Sequence, residues 1–220
     1  MIATISRFFL SFALLGPLGF AGCMGAGHES EFLYKNITVA EGSAVAGDGH
    51  NILFKGRPLA LSGNGIKVGD QLRNVRLAQT DLSPINIAET AGKGKVRIIS
   101  VVPSLDTKVC EQQTHHLSEK NKGLDKMVEL ITISIDTPFA QKRFSEEAKI
   151  HNVTFLSDYR NADFGKAYGL FLQDPHILAR AIMVVDPHNT VRYLQITPEL
   201  AQLPDMDEAF QVVRKLITAN

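Results

Sequence analysis

Cysteine is scarce in this sequence of 220 residues: Cys23 and Cys110 are the only two. A disulfide framework is thereby excluded as the basis of the fold, and each thiol needs its own explanation. Net charge is absent as well, with 23 basic against 23 acidic side chains and no long basic run. Without a positive field or interleaved basic and aromatic residues, nucleic acid is not an expected partner. The seven histidines fall at no spacing that would pair them with cysteines or carboxylates as zinc ligands, so no metal is expected. Neither a Gly-rich phosphate loop nor Gly-x-Ser-x-Gly occurs, and nothing in the sequence calls for a cofactor. What is present is ordinary for a globular chain: 45% hydrophobic and 21% charged residues, in a length that suits one domain plus appended segments.

The appended segments lie at the N-terminus. Residues 1–22 carry Arg7, an apolar run over 8–15, and a stretch broken by Gly16, Pro17 and Gly19 that ends in Ala21 and Gly22 before Cys23. This order reads as a signal peptide, too short and too interrupted for a membrane-spanning helix of about 20 apolar residues. Small residues directly before a cysteine resemble a bacterial lipoprotein lipobox, with Phe20 where leucine is usual. The resemblance implies acylation of Cys23 and a periplasm-facing lipid anchor in the cell envelope, with ordinary signal-peptidase cleavage and a soluble periplasmic chain as the alternative. Met24 in place of aspartate would favour the outer membrane. Several acyl chains, at about 0.8 kcal/mol per buried methylene, hold where one does not. Residues 23–50, rich in Gly, Ala, Ser and Glu, read as a flexible tether, with a short element around Phe32, Leu33, Tyr34 and Ile37 as the alternative.

From residue 51 to 220 the pattern is that of a folded domain. Apolar residues flank the turn Lys55-Gly56-Arg57-Pro58 as in a β-hairpin, whose proline suits an edge. Buried strands are expected over 96–102 and 128–135, each followed by a helix, over 107–121 and 139–150. A short strand at 154–156, a helix at 162–168 stopped by Gly169, strands at 181–185 and 191–196 about a turn at 186–189, and a helix at 206–217 complete the series. Alternating elements of this kind predict an α/β sandwich, with a mixed central sheet, helices on both faces and an N-terminal hairpin.

Cys110 stands where the first buried strand gives way to a helix. In a first helical turn, unpaired backbone N–H groups and the positive end of the helix dipole favour an anion, and a thiolate is the nucleophilic form of cysteine. Thr107 can present its hydroxyl to the same space, and Pro103 can close the pocket without supplying an N–H. A lone cysteine also commonly fills core space, and spacing alone leaves both readings open. Its neighbours Lys108, Glu111 and Gln112 favour reactivity.

Pro103, Thr107 and Cys110 resemble the peroxiredoxin signature of a proline, a threonine four residues on and a cysteine three beyond. The blocks at 134–144, 156–169 and 178–181 are similar to blocks of the thiol peroxidase subfamily, and the similarity runs from about residue 51 to 216. It implies a thioredoxin-like fold. It also implies that Cys110 attacks hydrogen peroxide or a small alkyl hydroperoxide and becomes a sulfenic acid, with Arg180 holding the peroxide and stabilising the thiolate. A homodimer is implied by the family.

One position departs from that subfamily: Ser145 stands where a resolving cysteine follows Arg-Phe. Serine forms no disulfide, so a one-cysteine cycle is expected. An external thiol reductant, a small thiol or a thioredoxin-like protein, would then restore Cys110. A peroxide-sensing or interaction lipoprotein with little turnover is the alternative. A disulfide oxidoreductase is disfavoured, because the residues three before and three after Cys110 are Thr107 and Gln113.

Overall fold

The computed structural model describes residues 32–90 and 94–218; the leader and Cys23 lie outside them. The hairpin pairs β1 (Asn51–Phe54) with β2 (Arg57–Ser62), and β3 (Arg76–Gln79) pairs with β4 (Pro84–Asn86). Next come β5 (Arg97–Val101), α1 (Lys108–Glu119), β6 (Glu129–Ser134), α2 (Pro138–Glu147), β7 (Thr154–Ser157) and α3 (Asp163–Tyr168). The chain closes with β8 (Phe171–Leu172), β9 (Ile177–Leu178), β10 (Ala181–Val185), β11 (Val191–Ile196) and α4 (Met206–Thr218).

Seven strands form a mixed sheet in the order β11-β10-β5-β6-β7-β3-β4. β5, β6 and β7 run parallel, and β10 and β3 flank them antiparallel. The central strands are buried along almost their whole length because both faces are covered. Ile98 of β5, Leu130 of β6 and Ile182 of β10 point toward the layer of α1, α2 and α4, where Leu117 and Phe210 meet them. Ile99, Ile131 and Met183 point the other way, toward α3 and a second sheet of order β1-β2-β8-β9. Each such Ile or Leu contributes about 1.5–3 kcal/mol when fully buried.

Local chemistry sets the ends. Pro138 takes the first helical position of α2, and the Thr137 hydroxyl accepts from Ala140 N at 3.3 Å. Gly169 ends α3 at φ 67°. The expected strands and helices are present, with ends that differ by no more than three residues and with 181–185 and 191–196 matched at both ends. β3, β4, β8 and β9 were not legible, since two to four residues are too few for a strand period to show.

The tether reading needs correction for residues 32–50, which pack on the domain. Residues 38–40 pair with Leu203, Ala44 N–H donates to Ile196 O at 2.9 Å, and Gly47 N–H donates to Gly169 O at 2.9 Å. A Cβ at Gly169 would lie 2.5 Å from Gly47 N, so the fit there is backbone on backbone. The short element offered as the alternative, around Phe32, Leu33, Tyr34 and Ile37, is closer to what is seen; the rest was concealed because its contacts are largely main-chain, which any residue type carries.

Asp158, just after β7, spans the start of α3: its carboxylate accepts from Phe164 N at 3.0 Å and Gly165 N at 2.9 Å. Burial outweighs those two bonds and pushes its carboxyl up from 3.8 to about 6. Between those values the folded chain holds a proton that the unfolded chain releases, so this group makes stability fall as pH rises through the window. Denaturant midpoints of Asp158→Asn measured from about pH 4 to 7 are expected to lack that slope, which amounts to roughly 2 kcal/mol in the native chain.

Candidate active site

The site begins where the parallel ladder stops. Val102 N–H donates to Ile133 O at 2.9 Å, the chain turns through 103–107, and α1 starts at Lys108 with Thr107 as its extended N-cap residue. Cys110 is therefore the third residue of the helix, within the turn whose N–H groups have no intrahelical acceptor. An N-cap threonine ordinarily accepts from the N–H of the second or third helical residue. Here the Thr107 hydroxyl makes no such bond; it donates to Cys110 Sγ at 2.9 Å, with Ser104 O at 3.2 Å as its other acceptor. The helix forgoes about 1 kcal/mol of capping to place a donor on the sulfur.

A second donor reaches the sulfur from β10's approach. Arg180 is 2% exposed, and its Nη2 lies 3.4 Å from Cys110 Sγ. Its Nη1 donates to Gln113 Oε1 at 2.7 Å and its Nε to Leu200 O at 3.0 Å. Both are neutral acceptors, and among the described residues no carboxylate pairs with Arg180. An uncompensated buried cation is costly. The guanidinium's third contact is Cys110 Sγ, the one atom of the three on which a negative charge could form.

The support extends into the sheet. Gln113, one turn beyond Cys110, also donates from Nε2 to Ser100 Oγ at 2.8 Å and to Ala181 O at 3.3 Å, so one amide ties Arg180 to both β5 and β10. Asp136, after β6, accepts from Ser104 Oγ at 2.7 Å and from Leu105 N at 2.8 Å, fixing the loop that precedes Thr107.

Of the residues singled out from the sequence, Thr107, Cys110 and Arg180 converge on one sulfur. Pro103 is buried in the same loop. Ser145 lies on α2 and donates its hydroxyl to Lys142 O at 2.8 Å. Gln113, Asp136 and the Leu200 carbonyl were missed as contributors. Gln113 carried a signal, sharing the inner face of α1 with Cys110; a backbone carbonyl carries none.

A family model described as Redoxin matches residues 67–210, which span the site from before Cys110 to beyond Arg180. The chain belongs to the redoxin family. A thiol peroxidase of Halalkalibacterium halodurans is 43% identical over 164 residues, covering 74% of this chain and 97% of that protein. A thiol peroxidase of Streptococcus pneumoniae is 39% identical over 165 residues, 75% of this chain and 99% of that one. The crystal structure of a peroxiredoxin-like protein from Aquifex aeolicus superposes with a TM-score of 0.71 at 36% identity, covering 80% of this chain and 99% of that one. The redoxin match and these neighbours agree with the thioredoxin-like α/β architecture described above.

Proposed function

We propose that this redoxin is a thiol-dependent peroxidase that reduces hydrogen peroxide or small alkyl hydroperoxides at Cys110. The observation that carries the reading is the convergence of the Thr107 hydroxyl and the Arg180 guanidinium on Cys110 Sγ, at 2.9 and 3.4 Å. The thiolate attacks the terminal peroxide oxygen: the S–O bond forms, the O–O bond breaks, and the leaving oxyanion takes a proton to depart as water or an alcohol. Arg180, hydrogen-bonded on two further sides and unable to lose its proton, stabilises negative charge as it moves from sulfur to the leaving oxygen. The Thr107 hydroxyl serves sulfur and peroxide in turn.

The product is a Cys110 sulfenic acid. With serine at 145, the cycle is closed by an external thiol, which displaces water from the sulfenic acid and leaves a mixed disulfide. A second thiol releases the oxidised reductant and restores the thiolate. One peroxide and two thiols thus yield water, an alcohol or a second water, and one disulfide.

The leader supports a location. A lipobox-like Ala21-Gly22 before Cys23 favours a chain acylated at Cys23 and held at the envelope facing the periplasm, and Met24 favours the outer membrane. Among the described residues no helix is long and apolar enough to cross a membrane. A homodimer belongs to the same reading on family grounds. Peroxide consumption with a panel of small thiols and a thioredoxin-like protein tests the cycle. Sustained turnover with an added thiol is expected in the native chain. Turnover that appears only in Ser145→Cys would defeat the one-cysteine cycle.

A further inference from the structure

Residues 32–44 lie outside the 67–210 span matched by the family model, yet they join the two arms of the site. On one side they cover the lateral face of α1. Gln112 accepts from Lys35 N at 2.7 Å and donates to Lys35 O at 2.9 Å, a two-point clasp of side chain on backbone. The Phe32 ring stacks on the His115 ring at 3.9 Å, and the Tyr34 hydroxyl donates to Glu119 Oε2 at 2.7 Å, while Glu119 Oε1 meets His115 Nδ1 at 2.7 Å. Gln112 and His115 are polar residues on an outward helix face, yet they are only 4% and 5% exposed.

On the other side the same segment clasps residues 195–203. Ala40 N–H donates to Leu203 O at 2.7 Å, Leu203 N–H to Thr38 O at 2.9 Å, and Gln195 Nε2 to Ala40 O at 3.0 Å. That stretch includes Leu200, whose carbonyl holds Arg180. One arm thus carries Cys110, the other supports Arg180, and residues 32–44 tie them together.

Cys110 is 0% exposed. A peroxide is small and needs little more than the space beside the sulfur. A thiol attacking the sulfenic acid must approach the sulfur itself, along the line of the bond it breaks, with the rest of its molecule behind it. The first turn of α1 therefore has to move for re-reduction to occur, and the clasp resists that movement.

We infer that residues 32–44 form a strap that restrains α1 and sets the rate at which an external thiol reaches oxidised Cys110. The inference rests on the one-cysteine cycle proposed above. With the strap seated, the sulfenic acid persists; with it released, re-reduction quickens while the peroxide step is little changed.

The test uses the full chain with Gln112→Ala, which removes the clasp, and separately Phe32→Ala, which removes the ring stack and leaves the helix sequence intact. Stopped-flow kinetics measure peroxide oxidation of Cys110 and, apart from it, reduction of the oxidised protein by dithiothreitol. The expected result is a peroxide rate constant within about threefold of the native chain and a reduction rate constant raised about tenfold in Gln112→Ala. Backbone amides at 108–111 are expected to exchange hydrogen faster in both variants, a readout independent of activity. Unchanged reduction and exchange rates in both variants would overturn the strap, and so would a peroxide rate that collapses in parallel with the reduction rate. If native Cys110 fails to consume peroxide at all, the peroxidase reading itself falls. If oxidised native protein is not reduced by added thiol, the one-cysteine cycle falls.

Discussion

Cys110→Ser is expected to lower peroxide consumption by about 10⁴-fold or more, to the background set by buffer and added thiol. A serine hydroxyl is nearly the size of the thiol and can accept from both Thr107 and Arg180, so the fold loses little, about 1 kcal/mol. What it loses is nucleophilicity. A hydroxyl stays protonated at neutral pH, and its oxygen is far less reactive than sulfur toward a peroxide. The diagnostic result is therefore an inactive protein with a near-native thermal midpoint, measured by following peroxide consumption and unfolding on the same sample. Substantial peroxidase activity in the variant would remove Cys110 from the reaction.

The second large effect is expected at Arg180. Arg180→Gln is expected to reduce the rate constant for peroxide by about 10²–10³, the loss that follows removal of a preorganised donor aimed at developing charge. Arg180→Lys keeps the charge but not the fork. An ammonium group cannot reproduce the planar arrangement in which Nε meets Leu200 O, Nη1 meets Gln113 Oε1 and Nη2 meets Cys110 Sγ. Its rate is expected to fall between the two, roughly tenfold below native. Stopped-flow oxidation of each variant orders them. If lysine proves as poor as glutamine, geometry outweighs charge at this position, and if glutamine equals native, Arg180 serves only the fold.

Those two residues were legible before any coordinates, for different reasons. Local physics puts Cys110 in the first turn of a helix, among unpaired N–H groups, but left a core cysteine equally open until the resemblance weighted it. Arg180 lies 70 positions away, and only its resemblance to a family block marked it. The central sheet was legible because its strands are long apolar runs, as at 97–101 and 181–185. The strands at 76–79 and 84–86 were not, since they are short and half polar. The strap was legible in part: Phe32, Leu33, Tyr34 and Ile37 marked a short element as the alternative to a tether, whereas its bonds to Gln112 and to 195–203 were hidden, since main-chain groups make them and glutamine is common on helix surfaces. Asp136 acts on the site through partners distant in sequence, which no local pattern displays, whereas helical spacing put Gln113 on the face of Cys110 without showing its bond to Arg180.

Cys110 as the peroxide-reactive thiol, with its recycling left to a thiol from outside the domain, is tested most directly by intact-mass measurement of the reduced chain after one equivalent of hydrogen peroxide and a sulfenic-acid trap. The expected result is one trap adduct, located on the peptide that carries Cys110, with no loss of the adduct in Ser145→Ala. A mass lower by two hydrogens, marking a disulfide formed within the chain, would contradict the one-cysteine cycle, and an unmodified Cys110 would contradict the assignment of the nucleophile.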